Sequence, residues 1–222
     1  MVLIHRLQMG MANAYLVEGA QGLVLIDCGS PRQERVVFSA LERLGRADLE
    51  MIFITHAHLD HYGSAGAIRR ETGARIGIHA EDADAMTKGM TPLGSVRGRG
   101  RIGKALLPLA ERFLKLEPVK PDILFADEER ISAAGLEMRV LHTPGHTPGS
   151  ASLLVEEDAV FVGDLISTTR HPHIQGLYAS DWSQILPSLQ RIQRVHPLML
   201  FPGHGRKALS GAGLDVLLNA SD

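Results

Sequence analysis

The chain has 222 residues, a formal net charge of −2 and a single cysteine, Cys28. That length buries a sizeable apolar core without disulfide staples, and one cysteine excludes both an internal disulfide and a thiolate-rich zinc site. A charge near zero gives no general attraction to nucleic acid or an anionic membrane, and no run of about 18 apolar residues is present to span one. The N-terminus lacks a basic segment followed by an apolar run and a small-residue cleavage site, so the expected location is the cytoplasm. Histidine stands out, with eleven copies against three tyrosines and one tryptophan. Imidazole is the commonest metal ligand and the usual acid/base near neutral pH, so clustering is the thing to look for.

Short apolar runs at residues 2–7, 13–17 and 22–26 read as strands, the last two joined by the turn Glu18-Gly19-Ala20-Gln21. Pro31 sits where helices start, and Val36, Val37, Ala40, Leu41 and Leu44 follow at helical spacing up to Gly45. Residues 51–55 read as a buried strand, a helix is expected from about Tyr62 to Gly73, and 75–79 is another strand. In the second half, 130–132 with 136–141 and 151–155 with 159–162 read as two hairpins. A helix from about Asp181 carries Ile185, Leu186, Leu189, Ile192 and Val195, then a strand at 198–201 and a helix over about 209–218 close the chain. Each half gives strands and then helices, and two sheets packed face to face with helices outside would bury both faces of the strands.

Residues 1–222 are therefore expected to form a single domain, with a basic loop and helix inserted at about 88–120. Eight basic residues against Glu111 and Glu117 give that segment a charge of +6, leaving −8 on the rest of the chain. Its amphipathic run covers 102–116. A lid, an attractor for an anionic substrate, a solvated face and a dimer contact are all compatible with it.

The chemistry concentrates in Thr55-His56-Ala57-His58-Leu59-Asp60-His61. Alternate residues of an extended chain point to one side, so His56 and His58 can grip one metal together. Asp60 and His61 fall where the chain turns into the next helix and can reach a second metal nearby. His146, in Pro144-Gly145-His146, Asp164, after Gly163, and His204, in Pro202-Gly203-His204-Gly205, are each expected at the C-terminal end of a strand. Loops on a rigid sheet can converge there. Seven hard or borderline ligands suit two metals better than one, with Asp164 able to bridge.

The order His-x-His-x-Asp-His, Gly-His, Gly-Asp, Gly-His resembles the metallo-β-lactamase superfamily over nearly the whole chain. The resemblance implies an α/β fold, an αββα sandwich of two mixed sheets with helices on the outer faces and the site along one edge where the sheets meet. It implies His56, His58 and His146 as ligands of one metal, Asp60, His61 and His204 as ligands of the other, and Asp164 as the bridge. Asp27, in Leu25-Ile26-Asp27-Cys28-Gly29, resembles the family's aspartate that orients a ligand imidazole through its other ring nitrogen.

True β-lactamase branches generally lack the bridging aspartate and are exported, so the pattern lies closer to the glyoxalase II-like and lactonase-like branches. The stretch Leu165-Ile166-Ser167-Thr168-Thr169-Arg170 lacks the Gly-Arg element of glyoxalase II, and Ser167 stands where quorum-signal lactonases carry tyrosine. Tyr178 is a candidate to reach in from farther on, and His171 and His173 are candidates for the pocket mouth. The expected activity is cleavage of an ester-like bond (thioester, lactone or ester) in a small molecule by a hydroxide held on two zinc ions, with iron or manganese as alternatives. Asp60 is the expected proton relay. The rival is a mononuclear iron oxidoreductase of the persulfide dioxygenase type, and a phosphodiesterase ranks below it. The expected partner is a small molecule, with no nucleic acid and no membrane, and with room for a homodimer.

Overall fold

The computed structural model describes residues 2–220, apart from the side chains of residues 110–112. Residues 1, 221 and 222 of the expected domain, and the Glu111 and Arg112 side chains of its basic segment, lie outside the described residues. In chain order, β1 (Leu3–Met9), β2 (Ala12–Glu18) and β3 (Leu23–Ile26) precede α1 (Glu34–Leu44), β4 (Leu49–Ile54), α2 (Leu59–Tyr62), α3 (Ala65–Thr72) and β5 (Arg75–His79). Next come α4 (Ala83–Thr87), β6 (Ser95–Val96), α5 (Gly100–Leu114) and β7 (Ile123–Phe125). The second half adds β8 (Arg130–Ala133), β9 (Leu136–His142), β10 (Ala151–Val155), β11 (Ala159–Thr168), β12 (His173–Ile174) and β13 (Tyr178–Ala179). It ends with α6 (Trp182–Arg194), β14 (Met199–Gly205), β15 (Leu209–Ser210) and α7 (Gly211–Asn219).

One sheet has the order β1-β2-β3-β4-β5-β7, antiparallel as far as β3 and parallel beyond it. The second large sheet has the order β15-β14-β11-β10-β9-β8, with β12 also on β11; among the described residues its one parallel pair is β11 with β14, and β6 pairs with β13 as a separate two-stranded ribbon. Three apolar layers result. Tyr15, Val24, Ile26, Met51, Phe53, Leu153 and Phe161 fill the space between the sheets. Leu16, Leu25, Ile52 and Ile76 pack with Val37, Leu41, Ile68 and Met86 of α1, α3 and α4. Val160, Val162 and Leu200 pack with Ile185, Leu189, Ile192 and Leu214 of α6 and α7. Successive residues of β4 divide between two layers because side chains alternate across a strand: Met51 and Phe53 go inward, Ile52 and Ile54 go to the helices. A strand covered on both faces reads as an unbroken apolar run, which is what residues 51–54 present. The αββα sandwich expected from the sequence is the fold observed.

Several boundaries differ from the sequence reading. The first helix begins at Glu34 rather than at Pro31, because Arg32 adopts a left-handed turn (φ 65°) and Gln33 N donates to Ser64 Oγ. The helix expected from Tyr62 to Gly73 is split into α2 and α3. Gly63 N donates to the Gly29 carbonyl and Ser64 Oγ to the Ser30 carbonyl, which pulls the chain out of helical pairing. Asp181 and Ser210 cap α6 and α7 by accepting from Ser183 N and Gly213 N.

Asp164 and His204 are not past the ends of their strands. Strand β11 runs on to Thr168 and β14 to Gly205, and their pairing is interrupted between Gly163 and Ser167. In register, Gly163 faces Pro202 and Ser167 faces His204, so the β11 side holds extra residues and bulges there. Asp164 sits in that bulge.

Candidate metal centre

The inner edge of the sandwich collects seven side chains from five places in the chain. His56 and His58 follow β4, Asp60 and His61 lie in α2, His146 follows β9, and Asp164 and His204 come from β11 and β14. Their ligand atoms fall into three overlapping groups whose members lie within 4.8 Å of one another: His56, His58 and His146; His56, His61 and Asp164; and Asp60, His61 and His204. The sequence reading put all seven in one site, and the fold brings them there.

Two glycines make the convergence sterically possible. A Cβ on Gly163 (φ 51°) would meet Thr55 Oγ1 at 2.9 Å, so this residue lets the second sheet approach the histidine motif of the first. A Cβ on Gly203 would lie 2.5 Å from Asp164 Oδ1 and 2.6 Å from His61 Cε1, inside the space these two side chains occupy.

Each histidine is tied by one ring nitrogen to an acceptor outside the cluster. His56 Nδ1 donates to Thr55 Oγ1 (3.0 Å), whose own hydrogen goes to Asp27. His58 Nε2 donates to the Pro92 carbonyl (2.9 Å), His61 Nδ1 to Asp27 Oδ2 (2.8 Å), His146 Nδ1 to the Tyr178 carbonyl (3.0 Å) and His204 Nδ1 to the Met11 carbonyl (3.0 Å). For His56, His58 and His146 these acceptors fix the neutral tautomer and leave the inner nitrogen as a lone pair, while His61 and His204 turn their inner nitrogens toward Asp164. The inner atoms His58 Nδ1 and His146 Nε2 then face each other at 3.0 Å, an arrangement a cation relieves. His56 Nε2, His61 Nε2 and Asp164 Oδ1 are buried without a hydrogen-bond partner. Buried polar atoms are rarely left in that state, so the cluster fits metal ions. Its donors are imidazole nitrogens and carboxylate oxygens, a set that suits zinc, iron or manganese.

Charge in the cluster is divided. Burial, reinforced by the neighbouring imidazoles, holds His56 and His58 below the ordinary histidine range and brings His146 down to about 3. Burial also opposes protonation of His204, but Asp164 and Asp60 outweigh it and raise the group to about 9. His61 is raised in the same way by Asp164 and Asp27. Asp164 is lowered despite its burial, because His204 and His61 stabilise its charge. Its Oδ1 lies 3.3 Å from His61 Nε2, and its Oδ2 lies 3.2 Å from His204 Nε2 and 3.5 Å from His146 Nε2. One carboxylate therefore reaches both sides of the cluster.

The other candidates are placed differently. Asp27 is buried behind the motif and accepts from Thr55 N, Thr55 Oγ1 and His61 Nδ1. Tyr178 lines the cluster with its backbone carbonyl, while its ring runs under α5, where a Cβ on Gly103 would meet the hydroxyl. His171 and His173 are exposed, their rings 5.7 Å apart, and neither belongs to the three groups. The buried Cys28 donates its thiol to the His61 carbonyl, and burial pushes the thiol up, which is the environment of a buried apolar filler and not of a nucleophile. Sequence reasoning missed the carbonyl acceptors, Gln175, whose Nε2 donates to the Asp164 carbonyl, and the buried Asp82. A carbonyl carries no sequence signal, since every residue has one. Asp82 lies in the unremarked stretch between β5 and α4.

The fold and the cluster together define a metal-binding αββα sandwich. The chain belongs to the metallo-β-lactamase superfamily, whose profile matches residues 7–204. It is 28% identical to a protein named as a probable metallo-hydrolase in Methanocaldococcus jannaschii, over 92% of this chain and 95% of that one. It is 27% identical to a beta-lactamase-like protein 2 homolog of Drosophila melanogaster over 87% of its length, and spans 58% of that longer relative. A metallo-beta-lactamase family protein from Thermus thermophilus superposes with a TM-score of 0.75 at 25% identity, over 99% of this chain and 79% of that one. Among the described residues, no helix is long and apolar enough to cross a membrane.

Proposed function

We propose that this protein is a dizinc hydrolase that cleaves an ester-like bond (thioester, lactone or ester) in a small molecule. The observation that carries the reading is the position of Asp164 between two groups of outward-tethered imidazoles, each group pointing its inner nitrogens at a common centre. When bound, the metals supply a Lewis acid and lower the pKa of a coordinated water from about 15.7 to near 7. His56, His58 and His146 would hold one ion, Asp60, His61 and His204 the other, and Asp164 would touch both.

The chain's own groups supply the rest. Asp60 Oδ2 lies 3.5 Å from His204 Nε2 at the partly exposed side of the cluster, where it can accept the proton of the attacking water and pass it to the leaving oxygen or sulfur. The new bond joins the water oxygen to the acyl carbon. The bond broken joins that carbon to the leaving alkoxide or thiolate, which departs with the proton. The described basic side chains of residues 88–120 favour a substrate with an anionic group. Their charge contrast with the rest of the chain supports this, as it supports a homodimer contact.

The test is a panel of thioesters, lactones, phosphodiesters and β-lactams offered to protein loaded with zinc. Cleavage of a thioester, lactone or ester is expected, together with its loss on chelation and its return when zinc is restored. Protein purified with one iron per chain that consumes oxygen would overturn the hydrolase reading, and cleavage of phosphodiesters alone would overturn the substrate class.

A further inference from the structure

We infer that Asp82 is a positioning residue that sets the three-histidine group by fastening the His56–His58 segment to the His146 loop. This rests on the metal-binding reading above and adds to it a division of labour between two buried aspartates. Asp82 is 1% exposed, and among the described residues the donors to its carboxylate are two backbone N–H groups and a hydroxyl, with His79 acting on it through its field alone. Its Oδ2 accepts from Ala57 N (2.8 Å), in the middle of His56-Ala57-His58, and from Thr147 Oγ1 (2.7 Å), next to His146. Its Oδ1 accepts from Gly149 N (2.7 Å), farther along the same loop. Three donors from two ligand-bearing segments therefore meet on one carboxylate. The loop is also closed on itself, since Ser150 Oγ accepts from Thr147 N (3.0 Å), so the pull on Thr147 reaches the whole turn.

Asp27 works on the other side of the motif, with its bonds to Thr55 and to His61. Both sets of contacts are local. None of Asp82's contacts involves Asp60, His61 or His204, and none of Asp27's involves the 143–150 loop. A buried carboxylate without a cationic partner is costly to keep charged, and charge-assisted bonds to backbone N–H groups are what offset it. The consequence is mechanical. Separation of the two loops would move His146 away from His56 and His58, while the second group would keep its geometry.

The experiment is a zinc titration of the metal-free full chain, followed through the ring-nitrogen resonances of individual histidines. Three variants are compared with the natural protein: Asp82→Asn, Thr147→Val and Thr147→Ser. Loss of such an orienting contact typically weakens metal binding by about 10–100-fold. Asp82→Asn and Thr147→Val are expected to show that loss at His56, His58 and His146, with His204 titrating as in the natural protein. Thr147→Ser restores the hydroxyl donor and is expected to bind normally. Unchanged affinity at the three histidines in the first two variants would overturn the inference, and so would a parallel loss at His204. If Asp82→Asn does not fold, the Thr147 pair decides in the same terms. Natural protein that takes up no zinc would instead defeat the metal reading itself.

Discussion

Replacing Asp164 by alanine is expected to remove turnover and most bound metal while leaving the fold in place. The carboxylate stands between His61, His146 and His204, and one of its oxygens is buried with no hydrogen-bond donor. Without it, the two groups of imidazoles lose the anion that links them, and the ring nitrogens left behind face one another with nothing between them. The bulge that carries Asp164 is flanked on both sides by backbone pairing to β14 and is tied by Gln175 through the Asp164 carbonyl, so the strand itself survives the change. Removing one preorganised electrostatic group from an active site commonly costs about 10²–10³ in rate, and here a metal is lost with it. A fall of at least about 10³-fold in kcat, or ~4 kcal/mol, is expected, with bound zinc reduced in proportion. The checks are kcat on the best substrate of the panel and metal content by elemental analysis. A variant with full turnover and full metal would remove Asp164 from the account.

The second large effect is expected from Asp27→Asn. Asp27 is an acceptor only, and it serves three donors: Thr55 N, Thr55 Oγ1 and His61 Nδ1. An amide of the same shape must turn its NH2 toward at least one of them, setting donor against donor in a buried site. The His61 ring is then no longer fixed with Nε2 toward the cluster. Metal affinity is expected to fall about 10–100-fold at the group containing His61, and the metal-free protein to lose ~1–3 kcal/mol of stability for the unsatisfied buried donor. Urea unfolding in the presence of chelator measures the second quantity separately from the first. A loss of stability without any loss of metal affinity would make Asp27 a folding residue only.

Much of this was legible in the sequence because two simple periods carry it. The unbroken apolar run before Thr55 marks a strand covered on both faces, and the i, i+2 spacing of His56 and His58 is the period of an extended chain. The Asp60-His61 step marks the change of direction into α2. What was not legible depends on contacts between distant parts of the chain. Nothing in Phe161-Val162-Gly163-Asp164 says that β11 continues beyond the site, because the bulge comes from its parallel pairing with β14. The break between α2 and α3 is set by Gly29 and Ser30, which lie about thirty residues earlier in the chain. The acceptors behind His58, His146 and His204 are main-chain carbonyls and leave no trace in residue type. The amphipathic run in the basic segment does form α5, yet Ile102, Leu106, Leu109 and Phe113 are exposed on it. Periodicity identifies an apolar face without saying what that face meets.

The account is tested most directly by anomalous diffraction at the zinc edge from crystals of protein loaded with zinc. Two peaks are expected about 3.5–4 Å apart, one among His56, His58 and His146 and one among Asp60, His61 and His204, with Asp164 touching both. Peaks elsewhere on the molecule, or none at these seven side chains in zinc-saturated protein, would contradict it.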